Sequence, residues 1–514
     1  MGNERFSKIA TASVNGLDTE FVTVETDLTT GLPAFSLVGL PGSAVRESKE
    51  RVRSAIVNSG YEFPLRRITV NLSPADSRKD GSHFDLPIAV GILVGAVKGH
   101  IRLPGPGRAA FIGELSLDGA LNKVGFAVAM VLGLQENGVR HIFLPSENLK
   151  EVQELPGLFF YPAETLAEVV NYLLEDGEIA PVRGGFRRDK DTRKPPDTED
   201  FSEVKGQEAV KRALVIAAAG AHDICLTGPP GVGKSMLAKR LPGILPPLTD
   251  KEGSEVTRIH NLAGERSELG LMTERPFRAP HHSATHSAII GGGSTRPRPG
   301  ELSLAHLGVL FLDELPEFER RTLDMLRQPL EDRYIDLSRV GFKGRYPCNF
   351  LLVAAMNPCP CGYLGDPSHE CRCSQTQIQR YLSKLSGPLL DRIDIHIRMC
   401  SVQEAEFVLE AGAPGCMSTA QMRNQVLSAR RLGEGRNLEN APNSRLTAEG
   451  MIKACIMQKE AEDILRQAYE HYSFSVRVRA KIIKIARTIA DLSGERMINA
   501  VHMAEAIAYR GVDR

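Results

Sequence analysis

The sequence predicts an α/β protein in three segments, of which the last is helical. Runs of β-branched and aromatic residues alternate with helix-like runs through residues 1 to about 180 and again from about 201 to 400. Helix-like spacing dominates from 401 to 514. At 514 residues the chain exceeds what one hydrophobic core holds, so about two or three domains are expected.

Composition and charge exclude several classes of protein. Lys plus Arg equal Asp plus Glu at 63 each, so any nucleic-acid contact needs a local basic patch. The N-terminus has no secretory signal, and the longest apolar run, Leu86–Val97, is too short to span a bilayer. We expect a cytoplasmic protein that makes no membrane contact.

The first segment, residues 1–180, mixes both kinds of element, which predicts an α/β or α+β domain. Its clearest strand-like and helix-like runs are 21–24, 67–72, 141–144, 44–58 and 127–137. Residues 181–200 are charged, contain Pro and Gly, and have almost no large apolar side chains. We interpret them as a solvated linker, and the alternative is a basic binding arm.

The first candidate functional element of the second segment is a glycine-rich loop. It follows an apolar strand, Ile224–Thr227, and precedes a helical run, Met236–Arg240, as a phosphate-binding loop requires. Backbone N–H groups and the helix N-terminus would hold the phosphates of ATP. Lys234 would reach the β- and γ-phosphates, and Ser235 would ligate Mg²⁺. The loop residues are Gly228, Pro229, Pro230, Gly231, Val232, Gly233, Lys234 and Ser235.

Two acidic residues end a second apolar strand about eighty residues later. Gly308 is followed by four apolar residues and then by Asp313 and Glu314. Ligands of open α/β sheets bind at the carboxyl ends of the strands, so these carboxylates are site candidates. Asp313 would hold Mg²⁺ and Glu314 would polarise the attacking water. The alternative is an ordinary acidic loop.

A third strand ends at Asn357, whose amide could orient the same water or merely cap a turn. Arg392 is a fixed cation among apolar residues further along. It is interpreted either as paired with Asp391 or Asp394, or as an arginine finger that enters a neighbouring subunit's site.

The chain resembles the AAA+ family of magnesium-chelatase-like ATPases, and within it the ComM/YifB group, nearly from end to end. Besides the phosphate loop, the resemblance rests on residues 200–207, 277–283, 299–306, 312–318 and 355–362. It implies a central AAA+ domain over 201–400, a helical lid over 401–514, and a homo-oligomeric ring, since a finger given in trans needs a neighbour. A hexamer is the expected ring size.

The resemblance also implies residue roles. Asn357 resembles sensor 1, and Arg392 resembles the finger that acts in trans. Arg477 lies where such proteins carry the sensor 2 arginine on the lid. Gly206 and Gln207 would flank the adenine.

An insertion over residues 275–300 is rich in His, Arg and Gly. It carries Arg275, Arg278, Arg296 and Arg298, together with His281, His282 and His286. In similar ATPases such insertions project toward the ring channel, where cations suit a DNA phosphate backbone. The alternative is a loop at the subunit interface. The His281–His282 pair is a weaker metal candidate.

Four cysteines fall into two C-x-C pairs on a Gly- and Pro-containing loop. Cys359, Cys361, Cys371 and Cys373 could close a tetrahedral Zn²⁺ site, and the alternative is four free thiols. A zinc-bound loop directly after Asn357 could link the γ-phosphate sensor to the pore or to a substrate.

The first domain resembles the proteolytic domain of Lon proteases over residues 79–85, 112–119 and 138–145. Lon uses a Ser–Lys dyad, in which the lysine is the base. Here His83 occupies the nucleophile position, with Ser82 one step away, and Val128 occupies the lysine position. Peptidase activity is therefore not expected, and the domain is interpreted as a scaffold or binding surface.

The leading functional hypothesis is an ATP-driven ring motor that translocates on DNA, with single-stranded or branched DNA in its channel. Its activity would be helicase or branch migration during DNA uptake and recombination. The first alternative is a chelatase-like ATPase that remodels a protein, and the second is an ATP-dependent Lon-like protease.

Overall fold

The computed structural model describes residues 6–97, 103–104, 108–174, 176–185, 199–265, 270–293, 297–339, 342–400, 417–437, 440–472 and 474–510. The chain forms two compact units that no single cut separates. The first comprises Met1–Thr192, Gly253–Met272 and Leu337–Arg345. The second comprises Arg193–Glu252, Thr273–Asp336 and Tyr346–Arg514.

An eight-stranded mixed sheet forms the first unit, in the order β10-β9-β8-β5-β1-β2-β4-β3. Its strands are β1 (Phe6–Asn15), β2 (Asp18–Thr29), β3 (Ala34–Val38), β4 (Arg67–Ser73), β5 (Arg108–Phe111), β8 (Val139–Pro145), β9 (Phe159–Ala163) and β10 (Val182–Arg183). A separate pair is formed by β6 (Glu114–Leu115) and β7 (Leu121–Asn122). Strand β10 thus occupies part of the predicted linker, most of which lies outside the described residues.

Helices cover this sheet on both faces. They are α1 (Ser43–Asn58), α2 (Asp85–Ala96), α3 (Ala127–Glu136), α4 (Leu149–Val152) and α5 (Leu166–Leu173). Side chains alternate along β1, so Ile9 joins the core under α2 while Ala12 joins the core under α3. The apolar run at Leu86–Val97 is therefore mostly a buried helix. No helix among the described residues is long and apolar enough to cross a membrane.

The second unit contains a five-stranded sheet in the order β12-β15-β18-β11-β19, and every neighbouring pair is parallel. Its strands are β11 (Ile224–Thr227), β12 (Phe277–Arg278), β15 (Val309–Leu312), β18 (Leu351–Met356) and β19 (Ile395–Arg398). A parallel sheet with buried central strands confirms the predicted α/β class. The carboxyl ends of all five strands lie along one edge, which we call the carboxyl edge. The opposite one is the amino edge.

Helices and short strands surround this second sheet in sequence order. They are α6 (Glu208–Gly220), α7 (Lys234–Arg240), α9 (His286–Ile290), β13 (Gly291–Gly292), β14 (Arg298–Pro299), α10 (Glu301–Leu304), α11 (Arg320–Met325), α12 (Arg327–Asp332), α13 (Gln375–Leu382) and α14 (Gly387–Leu390).

The described part of the C-terminal segment is helical, as predicted. Its helices are α15 (Thr419–Glu434), α16 (Ala448–Ala454), α17 (Lys459–Tyr472), α18 (Val476–Leu492) and α19 (Ala500–Ala508). The spacing of Ile482, Ile485 and Ile489 predicts a packed helix, and all three are buried in α18.

Two segments from the middle of the chain belong to the first unit. They are most of helix α8 (Asp250–Ala263) with the turn that follows, and most of the hairpin of β16 (Tyr334–Arg339) and β17 (Phe342–Pro347). Leu271 packs in the core under α3. Arg258 donates a hydrogen bond to the Thr19 hydroxyl at 3.2 Å. The sequence pattern did not predict this arrangement.

Candidate functional site

The phosphate loop joins β11 to α7 at the carboxyl edge. Gly231 and Gly233 have φ values of +79° and +91°, a backbone conformation that glycine adopts without strain. Lys234 begins α7, and its ammonium donates to the carbonyl oxygens of Gly228 at 2.6 Å and Pro229 at 2.9 Å. The buried ammonium thus lies over its own loop, where phosphate oxygens could take the place of these carbonyls.

Asp313 and Ser235 meet beside this lysine. The Ser235 hydroxyl donates to Asp313 Oδ2 at 2.7 Å, and the Glu314 N–H donates to Asp313 Oδ1 at 2.9 Å. A hydroxyl and a carboxylate are the hard oxygen ligands that Mg²⁺ prefers, so these residues fit that ion. Burial lowers the pKa of Lys234, and the charges of Asp313 and Glu314 act against that shift.

Glu314 follows β15 in an unusual backbone conformation, with φ at +51° and ψ at +48°. Left-handed backbone is strained for a residue with a Cβ, and such strain occurs often at functional sites. His282 follows β12, and its Nδ1 lies 3.3 Å from Glu314 Oε2. The sequence suggested a metal role for His282, whereas the structure places it against the candidate catalytic carboxylate.

Asn357 completes this group from β18. Its Oδ1 accepts a hydrogen bond from the Lys234 ammonium at 3.0 Å. The structure therefore brings Lys234, Ser235, Asp313, Glu314 and Asn357 together at the carboxyl edge, although they are spread over 124 positions of the sequence, 234 to 357.

Gly206 and Gln207 precede α6 with φ values of +66° and +59°. The Gln207 amide donates to the carbonyl oxygen of Cys400 at 2.6 Å, two residues beyond β19. The intervening Met399 donates its N–H to the Thr227 carbonyl, directly before the phosphate loop. This contact lies at the carboxyl edge, and the adenine-flanking role stays a prediction.

Arg392 is not part of this group. Parallel pairing aligns Ile224 with Ile395 and Thr227 with Arg398. Arg392 precedes β19, so it lies at the amino edge, about 10 Å or more from the phosphate loop along the strand direction. Its guanidinium contacts Glu331 at 2.9 Å. The proposed pairing with Asp391 or Asp394 is wrong for this structure, because Glu331 is the acid that Arg392 contacts.

Arg477 lies at the same amino edge. It occupies the first turn of α18, is 73% exposed, and approaches the same Glu331 at 3.7 Å. Both candidate arginines thus converge on one carboxylate, and the structure does not bring either of them to the chain's own phosphate loop.

A buried ion-pair network fixes the amino edge. The Lys481 ammonium donates to the Asp394 carboxylate and, at 2.5 Å, to the Arg392 carbonyl oxygen. His222 Nδ1 lies 3.1 Å from the other Asp394 oxygen. Burial acts to raise the pKa of Asp394, but Lys481 and His222 outweigh it and hold that pKa well below its usual value. This network joins the strand that follows Arg392 to the helix that carries Arg477.

Two of the four arginines of the insertion contact acids of the same chain. Arg275 donates to the carbonyl oxygens of Pro246 and Leu307 and contacts Glu252. Arg278 donates from two nitrogens to Glu301, each at 2.7 Å. Both guanidinium groups are therefore engaged by acids of their own chain, and their interpretation as DNA or interface contacts stays a prediction. Arg298 is exposed, and Arg296 lies outside the described residues.

The four predicted cysteines converge. Cys359 Sγ lies 3.4 Å from Cys361 Sγ and 3.6 Å from Cys371 Sγ, and the latter two are 3.6 Å apart. With Cys373 they form the group among the described residues whose side chains could hold a metal ion. Backbone N–H groups of Tyr363 and Arg372 donate to the Cys361 sulfur and lower the pKa of that thiol to about 6.

The positions that correspond to the Ser–Lys dyad of Lon lie in or beside the hydrophobic core of the first unit. Val128 is 3% exposed within α3, and the His83 ring lies 2.9 Å from the Ala12 carbonyl oxygen. Ser82 is half-buried beside it. A hydrocarbon side chain at the lysine position cannot accept a proton, so this position does not supply the base that Lon uses.

One serine–lysine contact does occur nearby. The Lys79 ammonium donates to Ser77 Oγ at 2.8 Å, to the Ser77 carbonyl at 3.0 Å and to the Pro74 carbonyl, and it pairs with Glu20 at 3.4 Å. Lys79 is fully buried, so these contacts satisfy the hydrogen-bonding needs of a buried ammonium, which is an ordinary structural use of lysine.

Comparison with protein families matches three stretches of the chain. A family described as magnesium chelatase, subunit ChlI, matches residues 200–407, and one described as subunit ChlI of Mg-chelatase matches 24–148. The ChlI C-terminal family matches residues 416–510.

Individual relatives agree with this assignment. Competence protein ComM of Haemophilus influenzae is 41% identical over 505 residues, which cover 97% of this chain and 96% of ComM. YifB of Salmonella typhimurium is 41% identical over 506 residues, or 98% of this chain and 97% of YifB. A Lon protease of Leptospira interrogans is 26% identical over 165 residues, 30% of this chain and 19% of Lon. The chain therefore belongs to the magnesium-chelatase-like family of AAA+ proteins, and within it to the ComM/YifB group.

Proposed function

We propose that this protein is an ATP-hydrolysing ring motor that translocates on DNA in the cytoplasm, with branch migration during DNA uptake and recombination as its activity. The observation that carries the ring is the location of Arg392 and Arg477, which lie at the amino edge while the phosphate loop lies at the carboxyl edge. The relationship to ComM carries the DNA substrate.

The carboxyl edge supports ATP binding with Mg²⁺. Lys234 would bind the β- and γ-phosphates, and Ser235 with Asp313 would hold the ion. Mg²⁺ supplies neutralisation of the charge on the phosphate oxygens. Glu314 would take a proton from the attacking water, and Asn357 would orient that water.

Hydrolysis on this proposal needs a second copy of the chain. A transferring phosphoryl group spreads negative charge over its oxygens, and a cation inserted there gives a large acceleration. Arg392 would supply that cation to the neighbouring subunit, and Arg477 would accompany it. A head-to-tail interface of this kind closes into a ring, for which we propose six subunits.

DNA binding has support from the relative rather than from the insertion's arginines. ComM is named as a competence protein, and competence is the uptake of DNA. Arg275 and Arg278 contact acids of their own chain, which leaves Arg298 as the exposed arginine of the described part of the insertion. A ring channel needs no base recognition, since phosphate contacts suffice for translocation.

We propose Zn²⁺ as the metal of the cysteine group. Tetrahedral Zn–S bonds of about 2.3 Å place neighbouring sulfurs about 3.8 Å apart. The observed separations of 3.4 to 3.6 Å are close to that value. Four thiolates with backbone N–H donors are the donor set of structural zinc sites.

The decisive test measures ATP turnover with no DNA, and with single-stranded, duplex and four-way-junction DNA. We expect DNA to raise the rate, most strongly with the junction, and we expect the effect to weaken steeply with salt. A Lys234→Ala variant is the control for contaminating ATPases. If every DNA leaves the rate unchanged, DNA translocation is wrong and the protein-remodelling alternative becomes the better one. Casein degradation that depends on ATP would instead support the protease alternative.

A further inference from the structure

We propose that the cysteine group, with its metal bound, is a clamp that holds the phosphate loop and Asn357 in position for ATP. The clamp is the segment from Cys359 to Cys373. This inference rests on the proposed ATPase function and adds a regulation to it: the affinity for nucleotide depends on the metal.

The path of the chain places the clamp inside the nucleotide site. Strand β18 ends at Met356, Asn357 contacts Lys234, and Cys359 follows after one residue. Cys359 is fully buried. The first metal ligand is therefore two residues from the side chain that contacts the phosphate-binding lysine, so movement of one displaces the other.

The far end of the clamp returns to the same place. Cys373 is followed directly by Ser374, which caps α13 with a reciprocal pair of hydrogen bonds to Gln377. Helix α13 carries Tyr381, whose phenol lies near enough to the Asn357 backbone N–H for that group to act against the rise in its pKa that burial causes. The metal ligands thus close a loop whose start and end both hold Asn357.

The middle of the clamp touches the phosphate loop itself. Gly362 has a φ of +89°, and a Cβ built on it would lie 2.5 Å from Pro230 Cδ. Its backbone therefore packs directly on the loop that would hold the phosphates. On the other side, Arg398 at the carboxyl end of β19 donates to the Leu364 carbonyl. The clamp is anchored on both neighbours of the P-loop strand β11.

The metal is what would keep this segment in one shape. Residues 362 to 370 have no helix or strand, and the sulfurs approach to 3.4 Å. Thiolates at that distance repel one another, and a cation between them turns the repulsion into cohesion. Without the metal, the segment would no longer pack against Pro230 and Asn357. The phosphate loop and Asn357 would then hold the phosphates of the nucleotide less firmly.

The first experiment measures metal content and nucleotide affinity on the full chain without DNA. Zinc is quantified in the purified protein. Binding of the non-hydrolysable analogue AMP-PNP is then titrated before chelation, after chelation and after Zn²⁺ is restored. We expect one zinc per chain and affinity at least about tenfold weaker after chelation, the scale typical of altered metal-site surroundings, with recovery on adding Zn²⁺. The double variant Cys371→Ser, Cys373→Ser should bind weakly with or without added Zn²⁺.

A second variant separates the clamp from general unfolding. Gly362→Ala should keep its zinc yet bind AMP-PNP more weakly, because the new methyl group would meet Pro230. Gly494→Ala is the matched control. Gly494 has a similar φ of +73°, and a Cβ there meets nothing within 4 Å, so the backbone strain is matched while the contact is not.

Three results would overturn the proposal: purified protein without zinc, a chelated protein that keeps full AMP-PNP affinity, or Gly362→Ala and Gly494→Ala with equal affinities. None of these measurements involves DNA or a second subunit's arginine. If DNA leaves the ATPase rate unchanged but chelation weakens AMP-PNP binding, the clamp proposal stands and the DNA-motor proposal fails.

Discussion

The carboxyl and amino edges of the five-stranded sheet differ in how their polar groups are used. At the carboxyl edge, Lys234, Ser235, Asp313 and Asn357 contact one another and surround a glycine-rich loop. At the amino edge, Arg392 is joined through Lys481 and its own neighbour Asp394 to a buried ion-pair network.

On our proposal, the two edges therefore have different roles in binding and hydrolysing ATP. The carboxyl edge brings together the groups that we propose bind a nucleotide, and one chain supplies them all. The amino edge presents two arginines on a rigid support, and both share Glu331. On our proposal, one chain therefore binds ATP alone, and two adjacent chains are needed to hydrolyse it.

The largest effect should come from removing the cation of the amino edge. Arg392→Ala should leave AMP-PNP affinity unchanged and lower ATP turnover about a thousandfold, because an arginine finger acts on the transition state. Steady-state turnover and equilibrium binding check the two halves. Arg398→Ala is unsuitable as a control, because Arg398 lies at the carboxyl end of β19. Arg466→Ala is a suitable control, because Arg466 is exposed. Weaker AMP-PNP binding in the Arg392 variant would place that arginine in its own chain's site.

Removal of the candidate base of the carboxyl edge should have the next largest effect. Glu314→Gln should slow hydrolysis about a hundredfold while retaining ATP, since a general base contributes on that scale. Because ATP persists, rings should accumulate, which light scattering at equal concentrations would show. Glu317→Gln, three residues further on and half-exposed, is the matched control. Unchanged turnover in Glu314→Gln would remove this residue from the chemistry.

The ion-pair network that fixes the amino edge should contribute to the free energy of unfolding. Asp394→Asn should lower the free energy of unfolding by about 3 kcal/mol at pH 7, because it removes the buried carboxylate that pairs with the half-buried Lys481. The folded-state pKa of Asp394 is lowered, so its stabilisation is present above the unfolded pKa of about 3.9 and is lost as the pH falls through the folded pKa.

Urea unfolding at pH 7 and below pH 4 checks this sign. The deficit of Asp394→Asn relative to the unmodified chain should shrink at the lower pH, because the carboxyl of the unfolded chain takes up a proton there before that of the folded chain does. Asp391→Asn changes an exposed carboxyl in the same turn and should cost little. A deficit that grows as the pH falls would contradict the ion-pair account.

The smallest effect should come from His282. Its contact with Glu314 occupies one oxygen of the candidate base, so His282→Ala should raise ATP turnover without DNA about threefold, since partly exposed contacts are worth under about 1 kcal/mol. His281→Ala is the comparison variant. His281 Nδ1 contacts Ser283 and its ring lies against His282, with centroids 4.1 Å apart, so this variant removes the neighbouring ring without removing the Glu314 contact. A lower rate in His282→Ala would show that the histidine positions Glu314 for catalysis.

The sequence predicted the carboxyl edge well, because each of its residues directly follows an apolar strand or the glycine-rich loop. Asp313 and Asn357 can be found in this way without knowledge of the fold. Their proximity in the fold follows from the parallel pairing of their strands, which the βαβ pattern implies. The cysteine group could also be predicted, since its spacing of pairs is local.

The amino edge was harder to predict from sequence. Glu331 lies 61 positions before Arg392 and 146 before Arg477, and no local spacing links the three. Asp391 and Asp394 were the obvious partners because they are one and two positions away, but Asp394 contacts Lys481 and His222 instead. Likewise, a count of arginines in the insertion gave no sign that Arg275 and Arg278 contact acids of their own chain.

The most direct test of the division between the two edges mixes two inactive variants. Lys234→Ala lacks a working phosphate loop, and Arg392→Ala lacks the cation for its neighbour. Random assembly at equal amounts should place an intact loop against an intact arginine at about one quarter of the interfaces of a closed ring. The account predicts that ATP turnover of the mixture rises well above the sum of the separate variants. A mixture no more active than that sum would contradict it.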